Sequence, residues 1–112
     1  MMPKAFDASP AHILVHSGAE EAIFNCMQVV LEPGDTVVVH SPYYQSLGEV
    51  ARSIGAKVRD WQARPDSGWA LDLDDLRQEL SPSTKMVVVN FPHNPTGFLP
   101  DPAFIRELSK LS

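Results

Sequence analysis

Three short stretches carry residue types that can do chemistry on a ligand. Ser17-Gly18-Ala19-Glu20, Ser41-Pro42-Tyr43-Tyr44 and Phe91-Pro92-His93-Asn94-Pro95-Thr96-Gly97 each follow an apolar, strand-like run. The first opens a helical pattern at a glycine. A helix starting there presents backbone amides with no Cβ in the way, and its partial positive charge favours a phosphate. The same residues also serve as an ordinary N-cap, and Glu20 and Glu21 oppose a bound dianion unless their carboxylates point away. The second stretch offers two tyrosines, and an aromatic ring at a strand end can stack on a planar ligand; packing in the core or at a rim is the plainer use. In the third, Pro95 disfavours helix at Asn94 and leaves a carboxamide, donor and acceptor at once, at the sheet edge. Asn-Pro is equally a common turn opener.

The elements that must hold these stretches are delimited by proline. The chain has ten prolines in 112 residues, and none falls in 11–32, 43–64, 66–81 or 83–91, so they separate folded segments rather than mark disorder. Ile13-Leu14-Val15 reads as a short strand. Beyond it Ala19, Ala22, Ile23, Cys26, Met27, Val30 and Leu31 recur at helical spacing. This predicts a helix over about 18–31, opened by a Ser17/Glu20 capping box and stopped at Pro33-Gly34. Residues 36–40 are β-branched and apolar on both faces, as in a buried parallel strand. Leu47, Val50, Ala51 and Ile54 share a helix face, and Gly55 is placed to cap it. Residues 57–61 alternate like an edge strand, and 64–68 form a turn. Asp72 can cap a short helix carrying Leu73, Leu76 and Leu80. Residues 85–91 read as a second buried strand, and Asp101-Pro102 opens a last helix with Ile105, Leu108 and Leu111 on one face.

Alternating strands and helices predict right-handed crossovers and the α/β class: a mainly parallel sheet with helices on both faces. Residues 1–112 are expected to form one such unit. In open sheets of this kind ligands lie outside the carboxyl ends of the strands, so the three stretches should line one edge.

Composition removes other functions. Nine Lys and Arg against fourteen Asp and Glu give a net charge of −5, and the basic residues are scattered singly, which argues against a nucleic-acid surface. The longest apolar run, Met86-Val87-Val88-Val89, is far shorter than the ~20 residues of a membrane span. Met1 to Pro10 lacks the apolar core of a leader. One cysteine, Cys26, cannot pair internally and suits a reducing, cytoplasmic setting; beside Ile23 and Val30 it reads as a core thiol. His12 and His16 flank a strand-like run with no third ligand, so no metal site is expected. His93 reads as a rim residue. Neither a Gly-x-Gly-x-x-Gly nor a Walker loop is present.

Asn94-Pro95-Thr96-Gly97 after Val87-Val88-Val89-Asn90, Pro42-Tyr43-Tyr44 after a strand, and Ser17-Gly18-Ala19-Glu20-Glu21-Ala22-Ile23 opening a helix occur in a telling order. Together they resemble the class I/II aminotransferases of fold type I, which use pyridoxal phosphate. The likeness runs from about Ala11 to Leu111 and includes Leu31-Glu32-Pro33-Gly34-Asp35 and Leu71-Asp72-Leu73-Asp74-Asp75-Leu76. It implies part of the large, cofactor-binding domain. By that resemblance Gly18, Ala19 and Glu20 give backbone amides to the cofactor phosphate, Tyr44 rather than Tyr43 stacks on the pyridine ring, and Asn94 hydrogen-bonds the ring oxygen. Cis bonds are implied before Pro42 and Pro95. The implied reaction moves an amino group between an amino acid and a 2-oxo acid, in a homodimer or other self-associated form.

The family's cofactor-bonding lysine, the aspartate at the pyridine nitrogen and the arginine for the substrate carboxylate lie downstream of its Asn-Pro-Thr-Gly turn. None of Lys4, Lys57, Lys85 and Lys110 takes the lysine's role; Ser109-Lys110 is only superficially similar and falls in the last helix. No catalytic residue is therefore assigned, and the chain alone is expected to be inactive. A lyase, a synthase or a regulator's sensor domain of the same fold would share all three motifs. The reading from another class is a non-catalytic α/β module that associates through open strand edges.

Overall fold

The centre of the molecule is β1 (Thr36–Ser41), in which every residue is buried. Val37, Val38 and Val39 make both faces of its middle apolar, with polar Thr36, His40 and Ser41 only at its ends, and β-branched residues suit a pleat packed on both sides. Burying each valine contributes about 1.5–3 kcal/mol. The computed structural model describes residues 8–111; Lys4, and Met1 to Asp7 of the stretch read for a leader, lie outside them. Two parallel partners flank β1, giving the order β2-β1-β3, with β2 at Lys57–Gln62 and β3 at Thr84–Val88.

Each face of this sheet carries helices. Val37 and Val39 pack with Met27 and Leu31, from α1 (Ala19–Val30) and its end, and with Ala51 of α2 (Ser46–Ile54). On the opposite face Val38 meets Trp61, Leu76 of α3 (Leu73–Glu79), and Phe104 and Leu108 of α4 (Pro102–Ser109). The architecture is thus the α/β layering expected from the alternation. Several expected ends hold as well. Gly55 caps α2 at φ 94°, where only glycine avoids a Cβ clash. The Asp72 carboxylate accepts the Asp74 amide at 2.7 Å, and that of Asp101 accepts the Phe104 amide at 2.7 Å.

Four expectations fail locally. Residues 13–15 form no strand: Leu14 is 84% and Val15 91% exposed, because no described strand lies beside them to complete a ladder. The capping box does not form either. Gly18 is the N-cap of α1 without a side-chain bond, and it is Glu21 whose carboxylate accepts the Ser17 amide, at 2.8 Å. Cys26 is exposed rather than a core thiol; Met27, the next residue, takes the inward position. Finally, β3 ends at Val88 and is half-buried, not a fully buried strand to residue 91, since among the described residues only β1 pairs with it.

Candidate functional site

Gly18 opens α1 at φ 99° with nothing within 4 Å of where a Cβ would stand. The first amide of the helix with a backbone acceptor is that of Ala22, bonded to the Gly18 carbonyl at 3.4 Å. The amides of Ala19, Glu20 and Glu21 therefore project from the helix start with no acceptor among the described residues. Both carboxylates are turned to other partners. Glu21 is folded back on the Ser17 amide, and Glu20 accepts the Ser46 hydroxyl of α2 at 2.9 Å.

That Glu20–Ser46 bond ties the start of α1 to the turn after β1. Glu20, Tyr44, Gln45, Ser46, Glu49 and Val50 line one open cavity of about 310 Å³. The two tyrosines of this turn part company. Tyr43 is half-buried; its ring lies over Gly48, where an added Cβ would stand 2.6 Å from Cε2, and its hydroxyl accepts from Arg52 at 2.9 Å. Tyr44 is 52% exposed and faces the cavity.

The third stretch is anchored by His93, which is 3% exposed and not the rim residue expected. Its amide donates to the Phe98 carbonyl at 2.8 Å, its carbonyl accepts from Gly97 at 2.7 Å, and its ring Nδ1 lies 2.5 Å from Thr96 Oγ1. The ring stacks on His40 at the end of β1, centroids 3.6 Å apart and planes 18° apart. His40 is itself 2% exposed and borders Trp61 and Phe91. Asn94, by contrast, is exposed. Cis bonds precede Pro42 and Pro95, as the resemblance implied, and also Pro92, which no feature of the sequence signalled.

Burial, and secondarily the neighbouring His93, hold His40 down at about 4. Burial likewise pushes His93 below the ordinary imidazole range, against a smaller upward pull from the Pro42 carbonyl. Both stacked imidazoles are therefore neutral at pH 7, and the positive character on offer comes from the amides at the start of α1. The structure brings Glu20 and Tyr44 to one cavity and joins the Asn94 turn to the end of β1 through stacked imidazoles. No hydrogen bond among the described residues links Asn94 directly to the other two stretches. Sequence reasoning overlooked His40; the one available signal was a polar residue closing an otherwise apolar strand. A larger cavity, of about 620 Å³, lies among Arg64, Asp66, Asp72, Asp75, Arg77 and Phe104 and includes none of the three stretches.

A parallel α/β sheet with three polar turns near its carboxyl edge defines the class, and comparison with known proteins supplies the family. The family model for aminotransferases of class I and II matches residues 4–112, and the chain belongs to that family. Capreomycidine synthase from Streptomyces vinaceus is 47% identical over 103 residues, covering 91% of this chain and 26% of that protein. Aspartate/prephenate aminotransferase from Thermus thermophilus is 36% identical over 104 residues, covering 93% and 27%. Among solved structures, a PLP-dependent aminotransferase from Streptococcus suis superposes with a TM-score of 0.80 at 39% identity, covering 84% of this chain and 25% of that one. The chain thus spans about a quarter of the length of the curated relatives it matches.

Proposed function

We propose that this chain forms part of the cofactor face of a pyridoxal-phosphate enzyme that exchanges an amino group between an amino acid and a 2-oxo acid. The observation that carries this reading is the set of free amides at Ala19, Glu20 and Glu21 beside the exposed ring of Tyr44, in a chain of the aminotransferase family. The residues fit the group. Open space at Gly18 leaves room for a phosphate against the helix start, Tyr44 offers an unobstructed π face, and Asn94 offers a free carboxamide. Pyridoxal phosphate, when bound, supplies an electron sink for reactions at the α-carbon of an amino acid. The chain's own residues would bind and orient it: the backbone amides of Gly18, Ala19 and Glu20 would hold the phosphate, Tyr44 would set the plane of the ring, and Asn94 would donate to the ring oxygen. We assign no catalytic residue to these 112 residues.

The 47% identity to a protein named a synthase supports a second reading, in which the same cofactor face serves a reaction other than amino exchange. The co-substrate separates the two, since amino exchange stalls without a 2-oxo acid and a synthase reaction does not. The reading further includes a self-associated protein, supported by the open sheet edges, and a cytoplasmic setting, supported by the free thiol of Cys26.

Titrating the chain with pyridoxal phosphate tests the proposal. Binding should be saturable and opposed by inorganic phosphate. Tyr44→Ala should weaken it about 3- to 10-fold, the worth of one stacking contact, and Asn94→Ala by about fivefold, the worth of one hydrogen bond. Affinities unchanged in both variants would remove the assignment.

A further inference from the structure

His93 is chemically active, buried, and given no task by the cofactor reading. Its surroundings are unusual in that three of the four imidazole nitrogens in the His40–His93 stack, both of His40 and Nε2 of His93, have no hydrogen-bond partner. The fourth, Nδ1 of His93, sits 2.5 Å from Thr96 Oγ1. That hydroxyl oxygen already accepts the Phe98 amide, at 3.3 Å. The oxygen has a second lone pair, so this bond alone does not set the direction, but the Thr96 proton has no acceptor other than Nδ1 among the described residues; its donation there leaves Nδ1 unprotonated and the ring's single proton on Nε2. The Pro42 carbonyl raises the His93 proton affinity without forming a hydrogen bond to Nε2 of acceptable geometry.

We propose that His93, held as the Nε2-protonated tautomer by the Thr96 hydroxyl, is the positioning residue that fixes the Asn94 turn against the end of β1. One residue holds the turn twice over: the His93 backbone donates to Phe98 and accepts from Gly97, and its ring meets Thr96. The same ring rests flat on His40, which is wedged between Trp61 of β2 and Phe91. Asn94, one residue on, is exposed yet carried by a rigid base. The groups facing the stacked pair are Trp61, Phe91, Thr96 and the Pro42 carbonyl, none of which titrates near neutrality, so each imidazole is the other's only titratable neighbour among these contacts. The relevance of the turn to a cofactor rests on the function proposed above; the tautomer and the pinning do not.

Long-range proton–nitrogen spectra of the ¹⁵N-labelled 112-residue chain at pH 7.5 read the tautomer directly. The expected pattern for His93 is a protonated Nε2 and a hydrogen-bonded, unprotonated Nδ1. Thr96→Val, which keeps the shape and removes the donor, should abolish that preference and speed amide exchange at Gly97 and Phe98 by about fivefold, the worth of one hydrogen bond. Thr96→Ser should restore both. A protonated Nδ1 in the native chain overturns the proposal, as does a Thr96→Val variant with unchanged spectrum and exchange. Should Thr96→Val not fold, the native tautomer decides alone. If the native chain shows the expected tautomer yet takes up no pyridoxal phosphate, the cofactor reading fails and the positioning role stands. If Thr96→Val keeps the native spectrum and exchange and binds pyridoxal phosphate as tightly as the native chain, the positioning role fails and the cofactor reading stands.

Discussion

At the scale of single residues, the carboxyl end of the sheet depends on imidazoles that stay neutral. Neither ring nitrogen of His40 has a hydrogen-bond partner among the described residues, and its value of about 4 in the folded chain lies below the 6.5 of an unburied histidine. The unfolded chain therefore takes up the proton first as pH falls. This contribution to stability is complete above about pH 6.5 and is lost between there and pH 4, by up to about 1.4 kcal/mol per pH unit. Urea unfolding at pH 7.5, 6 and 5 should show this slope, and His40→Leu should flatten it; an equal slope in the variant would contradict the account. Tyr44 and Asn94 were legible as residues of turns that follow strands, and the structure leaves both exposed, Tyr44 against the plainer expectation of core or rim packing. The sequence could not display His40 and His93 as a pair. They are far apart in the chain, and only the parallel pairing of β1 with β3 brings the two strand ends together.

Among the elements, α2 shows how a local preference yields to packing. Alanine is favoured over glycine inside a helix by up to about 1 kcal/mol, yet a Cβ at Gly48 would stand 2.6–2.9 Å from the Tyr43 ring and hydroxyl. Gly48→Ala must displace that ring and break its bond to Arg52, so it should destabilise the chain by about 1 kcal/mol. In a Tyr43→Ala background the same substitution should stabilise it, and a double-mutant cycle in urea separates the two signs. The helices were legible because their periodicity and caps are local: Asp72, Gly55 and Asp101 act as their types suggest. Strands were less so. A run such as Ile13-Leu14-Val15 has the composition of a strand, but a ladder needs a neighbour, and no described residue provides one. The extent of β3 was overestimated for the same reason, since a pattern of valines cannot tell an edge from an interior position.

On the scale of the whole molecule, a parallel sheet whose two edge strands have no further partner among the described residues, together with the exposed Leu14, Val15 and Leu99, is poorly protected against association. Light scattering should show the mass rising with concentration, and Leu14→Lys with Val15→Lys should shift the chain toward monomer; a clean monomer in the native chain would contradict this. The α/β class was legible from the alternation of elements alone, whereas the contact of His93 with His40, which sets the Asn94 turn at the end of β1, required the parallel order β2-β1-β3. The central claim is that the start of α1, the Tyr44 turn and the Asn94 turn hold one ligand together. Amide and side-chain shift mapping of the labelled chain with pyridoxal phosphate tests it most directly. The account predicts saturable, concerted changes at Gly18, Ala19 and Glu20, at Tyr44 and at the Asn94 carboxamide, with a single affinity. Changes confined to Lys57, Lys85 and Lys110, or affinities that differ among the three stretches, would contradict it.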